Sequence, residues 1–152
     1  MPALLPALAA ALVLVVAPPA LGESATGAGT IPEDAVVRVG DASIKKTTYK
    51  RWMRIAITGS RNASRRASYA SQRRKVLQFL IVNTWYAQEL AELGVVLSAA
   101  ELERAFQRAA RESFDSQAEM RRFLEREGMT MSDARFQLAG LSRYDKLHEL
   151  AR

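Results

Sequence analysis

Val76-Leu77-Gln78-Phe79-Leu80-Ile81-Val82-Asn83-Thr84-Trp85-Tyr86 is apolar at eight of its eleven positions. Those positions run right round a helix instead of along one side, the mark of a central helix that other elements cover. The segment lies within a longer helix predicted over Tyr69 to Leu93, with Gly94 where a left-handed residue closes a helix. The polar stripe of this helix is Gln78, Glu89 and Glu92, and Ile81, Val82 and Trp85 fall inside it. Those three need cover from elsewhere in the molecule.

Toward the C-terminus, three more helices each announce a start. Ser98 is followed three residues on by Glu101, Ser116 by Glu119, and Thr130 by Asp133. The first two spell full capping boxes, in which each side chain satisfies the other residue's free N–H, and the third is the Asp variant. Leu102, Ala105, Phe106 and Ala109 are expected to face inward on the first of these helices. Met120, Phe123 and Leu124 do so on the second, which Gly128 ends. The last helix is expected from about Met131 to Leu150. Its main stripe is Ala134, Leu138, Leu141 and Tyr144, with Phe136, Leu147 and Leu150 off it.

Toward the N-terminus, Tyr49, Trp52, Met53 and Ala56 share one face of a helix that Thr47 or Thr48 can cap and that runs to about Ile57. Thr58 to Ser68 reads as a loop. Val36, Val37 and Val39 read as a strand that ends in a tight turn at Gly40-Asp41. That strand pairs with its own continuation through Ile44, or its partner is missing. The fold class is mainly α: a short N-terminal strand plus about five helices around a long central one.

The chain divides into 1–22, 23–33 and 34–152. Leu4 to Val16 is a Leu, Ala and Val run interrupted by Pro6, shorter than the roughly 20 residues a membrane span needs and closer to a signal-peptide core. Cleavage is expected after Gly22, or the segment stays as an uncleaved N-terminal anchor. No Lys or Arg precedes Arg38, which departs from a standard signal. Residues 23–33 read as a flexible linker, and 34–152 as the helical domain.

In 152 residues, 49% hydrophobic and 25% charged, there is one globular domain's worth of core. With no cysteine, disulfides, thiolate metal sites and cysteine nucleophiles are excluded. The net charge of +6 favours anionic partners in general. Arg61, Arg65, Arg66, Arg73 and Arg74, with Lys75, form the one charge cluster and the candidate contact to an anionic surface; the bland alternative is a solvated loop and helix start.

His148 is the single histidine and has no base or ligand set around it in sequence. Glu101/Glu103 and Glu125/Glu127 stand two apart, which turns them to different sides of a helix. Asn62-Ala63-Ser64 is a glycosylation sequon by spelling alone. The residues thus point to no catalytic site, no metal and no cofactor.

Several pieces in order carry a family likeness. Val39-Gly40-Asp41, Ile44 and the helix with Tyr49 and Trp52 form the first. Gln88-Glu89-Leu90-Ala91-Glu92-Leu93-Gly94-Val95 and Leu97-Ser98-Ala99-Ala100-Glu101-Leu102 follow. Phe123-Leu124, Gly128-Met129-Thr130 and the final helix complete the series. Together, over about Ile31 to Leu147, they resemble the N-terminal chaperone domain of SurA/PrsA-type foldases. Lys45 departs from the family's usual capping Thr. The family normally continues into a parvulin-type prolyl isomerase domain, whose pattern this sequence does not contain.

The resemblance implies an extracytoplasmic, non-catalytic module that holds unfolded or nascent exported polypeptides. The apolar surplus agrees with it, since exposed apolar patches usually mark a partner. Trp52, Ile81, Val82, Trp85, Phe136 and Leu147 are the candidate peptide contacts. Competing occupants are a homodimer, a C-terminal partner segment and an anionic membrane surface. Competing functions are the N-terminal part of a parvulin-type isomerase, and a basic helical nucleic-acid-binding or dimerisation module. Nucleic acid is the least favoured partner, because no reading helix is recognisable and an export signal separates the two.

Overall fold

The structure is a computed structural model that describes residues 31–62 and 69–152, excepting the side chains of 60–62. The export segment and most of the linker, Arg65 and Arg66, and the Arg61 side chain lie outside the described residues. The described elements are β1 (Ala35–Val39), β2 (Ala42–Lys45), α1 (Lys46–Asn62), α2 (Tyr69–Glu92), α3 (Ala99–Ser113), α4 (Gln117–Glu127) and α5 (Met131–Leu150).

The open question about the strand is answered by a hairpin. β1 and β2 pair antiparallel, with Val37 opposite Ile44 and Val39 opposite Ala42, and the register shifts between Ala35 and Val37. Two residues make the turn, and Gly40 takes a φ of 54° there. Tight two-residue hairpins need a positive φ at that first central position, which glycine adopts without a steric penalty. The hairpin buries Ile44 and Ala35 under the helices.

α1 differs from expectation at both ends. It begins at Lys46, directly after β2, with no Thr cap; the Lys46 N–H donates instead to the Asp34 carbonyl at 2.7 Å. It then continues to Asn62, through Thr58 and Gly59, where a loop was expected. Tertiary contact explains the extension. A Cβ on Gly128 would stand 3.4 Å from Thr58, and one on Gly59 would stand 3.0 Å from the Glu127 carboxylate. The end of α4 therefore packs on this last stretch of α1 and outweighs its weak helix propensity.

α2 matches its expected span and ends on Gly94, with the Gly94 N–H on Ala91 O at 3.0 Å and the Val95 N–H on Leu90 O at 2.8 Å. α3 and α5 start in complete capping boxes at Ser98 and Thr130. The box expected at Ser116 is half made. Ser116 accepts from the Glu119 N–H, but the Glu119 carboxylate takes the Asp115 N–H at 2.9 Å, one residue before the cap.

Two apolar cores result. The first joins Ile44, Trp52, Met53, Ile55, Ala56, Val76 and Leu80 from the hairpin, α1 and α2. The second joins Phe106, Phe114, Met120, Phe123, Leu124 and Ala134 around α3, α4 and the start of α5. Met129 packs on both. α2 is central as expected, but its cover is partial: α1, α5 and the hairpin pack on it, while α3 packs chiefly on α5 and α4 on α1 and α5.

α2 and α5 run parallel. Phe79 meets Phe136, Asn83 meets Gly140 and Tyr86 meets Tyr144, each pair one step further along both helices. The deepest line of α5 is Ala134, Gln137 and Gly140. Of the expected stripe only Ala134 is deep, and Leu138, Leu141 and Tyr144 are half-buried.

Candidate functional site

α5 lies between the two cores and presents a different surface on each flank. Phe136, Arg143, Leu147 and Leu150 stand seven, eleven and fourteen residues along the helix from the first of them, which places them on one stripe of α5. Over that span a helix rises roughly 21 Å. Phe136 is 38% exposed and Leu150 48%, while Leu147 and Arg143 are half-buried. Beneath Phe136 sits an aromatic base: its ring lies 5.5 Å from Trp52 and 6.0 Å from Phe79, and those two are 4.7 Å apart. Tilted pairs at such distances add attraction beyond area burial, so the exposed Phe136 ring is held in place from below.

The predicted contacts do not form a single site. Trp52 is 3% exposed and belongs to the first core, so it supports Phe136 instead of meeting a partner itself. Ile81 is half-buried against the same core. Trp85 and Val82 are half-buried on α2. The Trp85 ring is 5.6 Å from Tyr86, which leads to Tyr144 at 5.7 Å and then to His148 at 6.0 Å. The structure thus brings Trp52 and Phe136 together, strings Phe136 and Leu147 on one stripe, and leaves Trp85 with a separate aromatic row.

One charge stands on the stripe. No salt bridge reaches Arg143 among the described residues, and burial alone pushes its guanidinium below the ordinary value. A partly desolvated cation without a partner is available to a carboxylate or to a backbone carbonyl.

The base of the stripe is fixed by Arg51 on α1. It forms a two-pronged ion pair with Asp133 and donates to the Gly128 carbonyl at 3.1 Å. Asp133 also takes the Thr130 backbone N–H and hydroxyl. Burial raises the Asp133 carboxyl, but the hydrogen bonds from Arg51 and Thr130 outweigh it and hold the group below its ordinary value. On the other flank Arg135 grips Glu103 at 2.8 Å, and that bond, with one from Gln107, pulls Glu103 down to about 2.

Sequence reasoning missed a groove between α3 and α5. It measures about 580 Å³ and has Leu97, Leu102, Ala105, Ala109, Leu138 and Leu141 along it, all half-buried. The sequence placed most of these in the core. The available signal was the small size of Ala105 and Ala109, which leave space where larger side chains would fill it.

Of the basic cluster, Arg73 and Arg74 are exposed in the first turns of α2. Among the described residues, no group of His, Cys, Asp and Glu could hold a metal ion, and no helix is long and apolar enough to cross a membrane.

A hairpin, a helix bearing a buried Trp, a long central helix and three capped helices agree with the expected architecture. The family model described as SurA-like N-terminal domain matches residues 4–141. No curated protein and no solved structure matches the chain. With most of its length covered by that one model, the chain belongs to the family of SurA-like N-terminal domains.

Proposed function

We propose that this chain is a chaperone-like module that holds unfolded exported polypeptides outside the cytoplasm, by apolar contact and without catalysis. The observation that carries the reading is the Phe136–Leu147–Leu150 stripe, a row of large apolar side chains on α5, exposed at Phe136 and Leu150, half-buried at Leu147, and backed at one end by the Trp52–Phe79 pair. A binder of many sequences needs a surface that neither demands nor repels particular charges. The stripe has that character, with Arg143 as its only charge. Arg143 has a use that depends on no client sequence, because every polypeptide offers backbone carbonyls.

The family supports the chaperone reading, and domains of this family are typically periplasmic. The apolar run from Leu4 to Val16 supports export. Cell fractionation would place the chain, and N-terminal sequencing of the recovered protein would show whether residues 1–22 remain.

The functional test is suppression of aggregation of a denatured client. The full chain suppresses aggregation at modest molar excess. Leu147→Ser with Leu150→Ser, both near the helix end and outside either core, abolishes most of the effect while the helical circular dichroism is retained. Equal suppression by that double variant would overturn the assignment of the stripe.

A further inference from the structure

Charge is spread very unevenly along this chain. Residues 42–88 hold eleven of the 22 cations and none of the 16 acidic side chains, so that stretch carries +11 and the rest of the chain −5. Such asymmetry points to an anionic partner. We infer that the start of α1 and the start of α2 form one basic face that lies against a bilayer of anionic phospholipid.

The structure gathers this charge at the end where the chain enters the domain. The Lys46 N–H bonds to the Asp34 carbonyl at 2.7 Å, so α1 starts beside residues 31–34. One turn further on, the Tyr49 hydroxyl has Tyr69 and Arg73, at the start of α2, as its electrostatic neighbours. Lys46, Lys50 and Arg54 recur every fourth residue on one exposed stripe of α1, and Arg73, Arg74 and Lys75 are exposed on α2. Among the described residues no salt bridge reaches any of these six. Glu33 and Asp34 stand at the same end, and Asp34 is paired with Lys45 at 3.7 Å.

These cations work against the helices that bear them. Lys46 and Lys50, and Lys50 and Arg54, are like charges one turn apart, which destabilises a helix. Neither α1 nor α2 has an acidic residue in its first turn, whereas α3, α4 and α5 each have one. Cations near a helix N-terminus oppose its dipole. The fold gains nothing from the arrangement, and an anionic surface relieves the repulsion.

Nucleic acid is the other polyanion such a face could meet, and the apolar groups beside it select lipid. Ile31 is 51% exposed and Tyr69 63% exposed at this end. An apolar and an aromatic side chain among cations suit a bilayer interface, where the ring sits at headgroup level. Upstream of Ile31 the sequence carries the charge-free run from Leu4 to Val16, too short to span but suited to insertion at an interface. A single apolar anchor holds only marginally, and a polybasic patch beside it makes attachment stable. The client stripe stays open in this orientation. Phe136 meets Phe79, about 9 Å along α2 from Arg73, and the stripe runs on away from the membrane with the parallel α2.

The test is sedimentation of the full chain with vesicles of phosphatidylcholine alone, or of phosphatidylcholine and phosphatidylglycerol at three to one. The chain partitions onto the anionic vesicles about tenfold more strongly or better, and added salt weakens that binding. Lys46→Gln, Lys50→Gln and Arg54→Gln together lower it by about a hundredfold, at about fivefold for each cation near an anionic surface. Arg108→Gln, Arg111→Gln and Arg122→Gln together change the net charge equally, lie outside the face and leave binding nearly unchanged. All six side chains are exposed, so helical circular dichroism is retained in both variants. The inference is overturned if both vesicle types bind equally or neither binds, if the two triple variants lose binding equally, or if duplex DNA of mixed sequence binds the chain while anionic vesicles do not. None of these outcomes bears on the stripe, which the aggregation assay tests separately.

Discussion

The two cores of this small domain are built on different principles. The first is assembled from distant segments: hairpin residue Ile44, Trp52 on α1 and Leu80 on α2 meet although no local signal joins them. Its helices have little help at their starts, since α1 begins on a backbone carbonyl from Asp34 and has no acidic residue in its first turn. The second is assembled from neighbours: three helices in sequence, each opened by its own Ser or Thr and the second closed by Gly128. The first thus depends on packing and the second on local hydrogen bonds. Between them stands an interface that is neither, made of the Arg51–Asp133 pair and the close approach of Asn83 to Gly140.

The sharpest way to break that comparison is to empty one core. Leu80 is 2% exposed, and Leu80→Ala should cost about 3 kcal/mol in urea unfolding, through lost burial and the cavity left behind. A loss under 1 kcal/mol would show that long-range packing is not what holds the first core.

The interface comes next. A Cβ on Gly140 would fall 1.8 Å from Asn83 Oδ1, and Asn83 is itself held by its Nδ2 on the Phe79 carbonyl at 3.0 Å. Gly140→Ala should therefore destabilise by about 2 kcal/mol despite the better helix propensity of alanine. Combining it with Asn83→Ala should recover most of that loss, because Asn83 Oδ1 is buried without a hydrogen-bond partner among the described residues. Additive losses in the double variant would contradict the contact.

The local signals of the second core are smaller. Thr130→Ala removes the acceptor for the Asp133 N–H and should cost about 1 kcal/mol. Ser116→Ala, whose cap lacks the reciprocal bond, should cost less. An equal loss at both would show that reciprocity is unimportant here.

Acid has the mildest effect. Glu103 and Asp133 both ionise more readily folded than unfolded. The stability they add is complete above the unfolded carboxylate range near pH 4. It fades as pH falls, down to about 2 for Glu103. Urea midpoints should be flat from pH 7 to about pH 5 and decline below it. Arg135→Ala and Arg51→Ala should each flatten part of that decline.

The same contrast explains what could be read in advance. Ser98, Thr130, Gly94 and Gly128 mark helix ends through bonds to their own neighbours, so they are visible in the sequence. The run of α1 past Ile57 was hidden because it depends on Thr58 and Gly59 meeting α4, seventy residues away in the chain. The buried line Ala134, Gln137 and Gly140 was hidden because a close helix crossing selects small residues and satisfied amides, which hydropathy does not rank as core. Of the candidate site, Phe136 and Leu147 were visible as apolar residues off the main stripe of their helix. Trp52 was misread as accessible because one helical face cannot show which residues a second helix covers. The groove was hidden because amphipathic spacing tells which side of α3 is apolar, not whether α5 lies close enough to seal it.

The most direct measurement is a nuclear magnetic resonance footprint of a permanently unfolded polypeptide on the isotope-labelled chain. Shifts and broadening are expected at Phe136, Arg143, Leu147 and Leu150, with weaker changes at Trp52 and Phe79 beneath them and none at Arg73 and Arg74. A footprint confined to α3 and the groove, or no footprint at saturating polypeptide, would contradict this expectation.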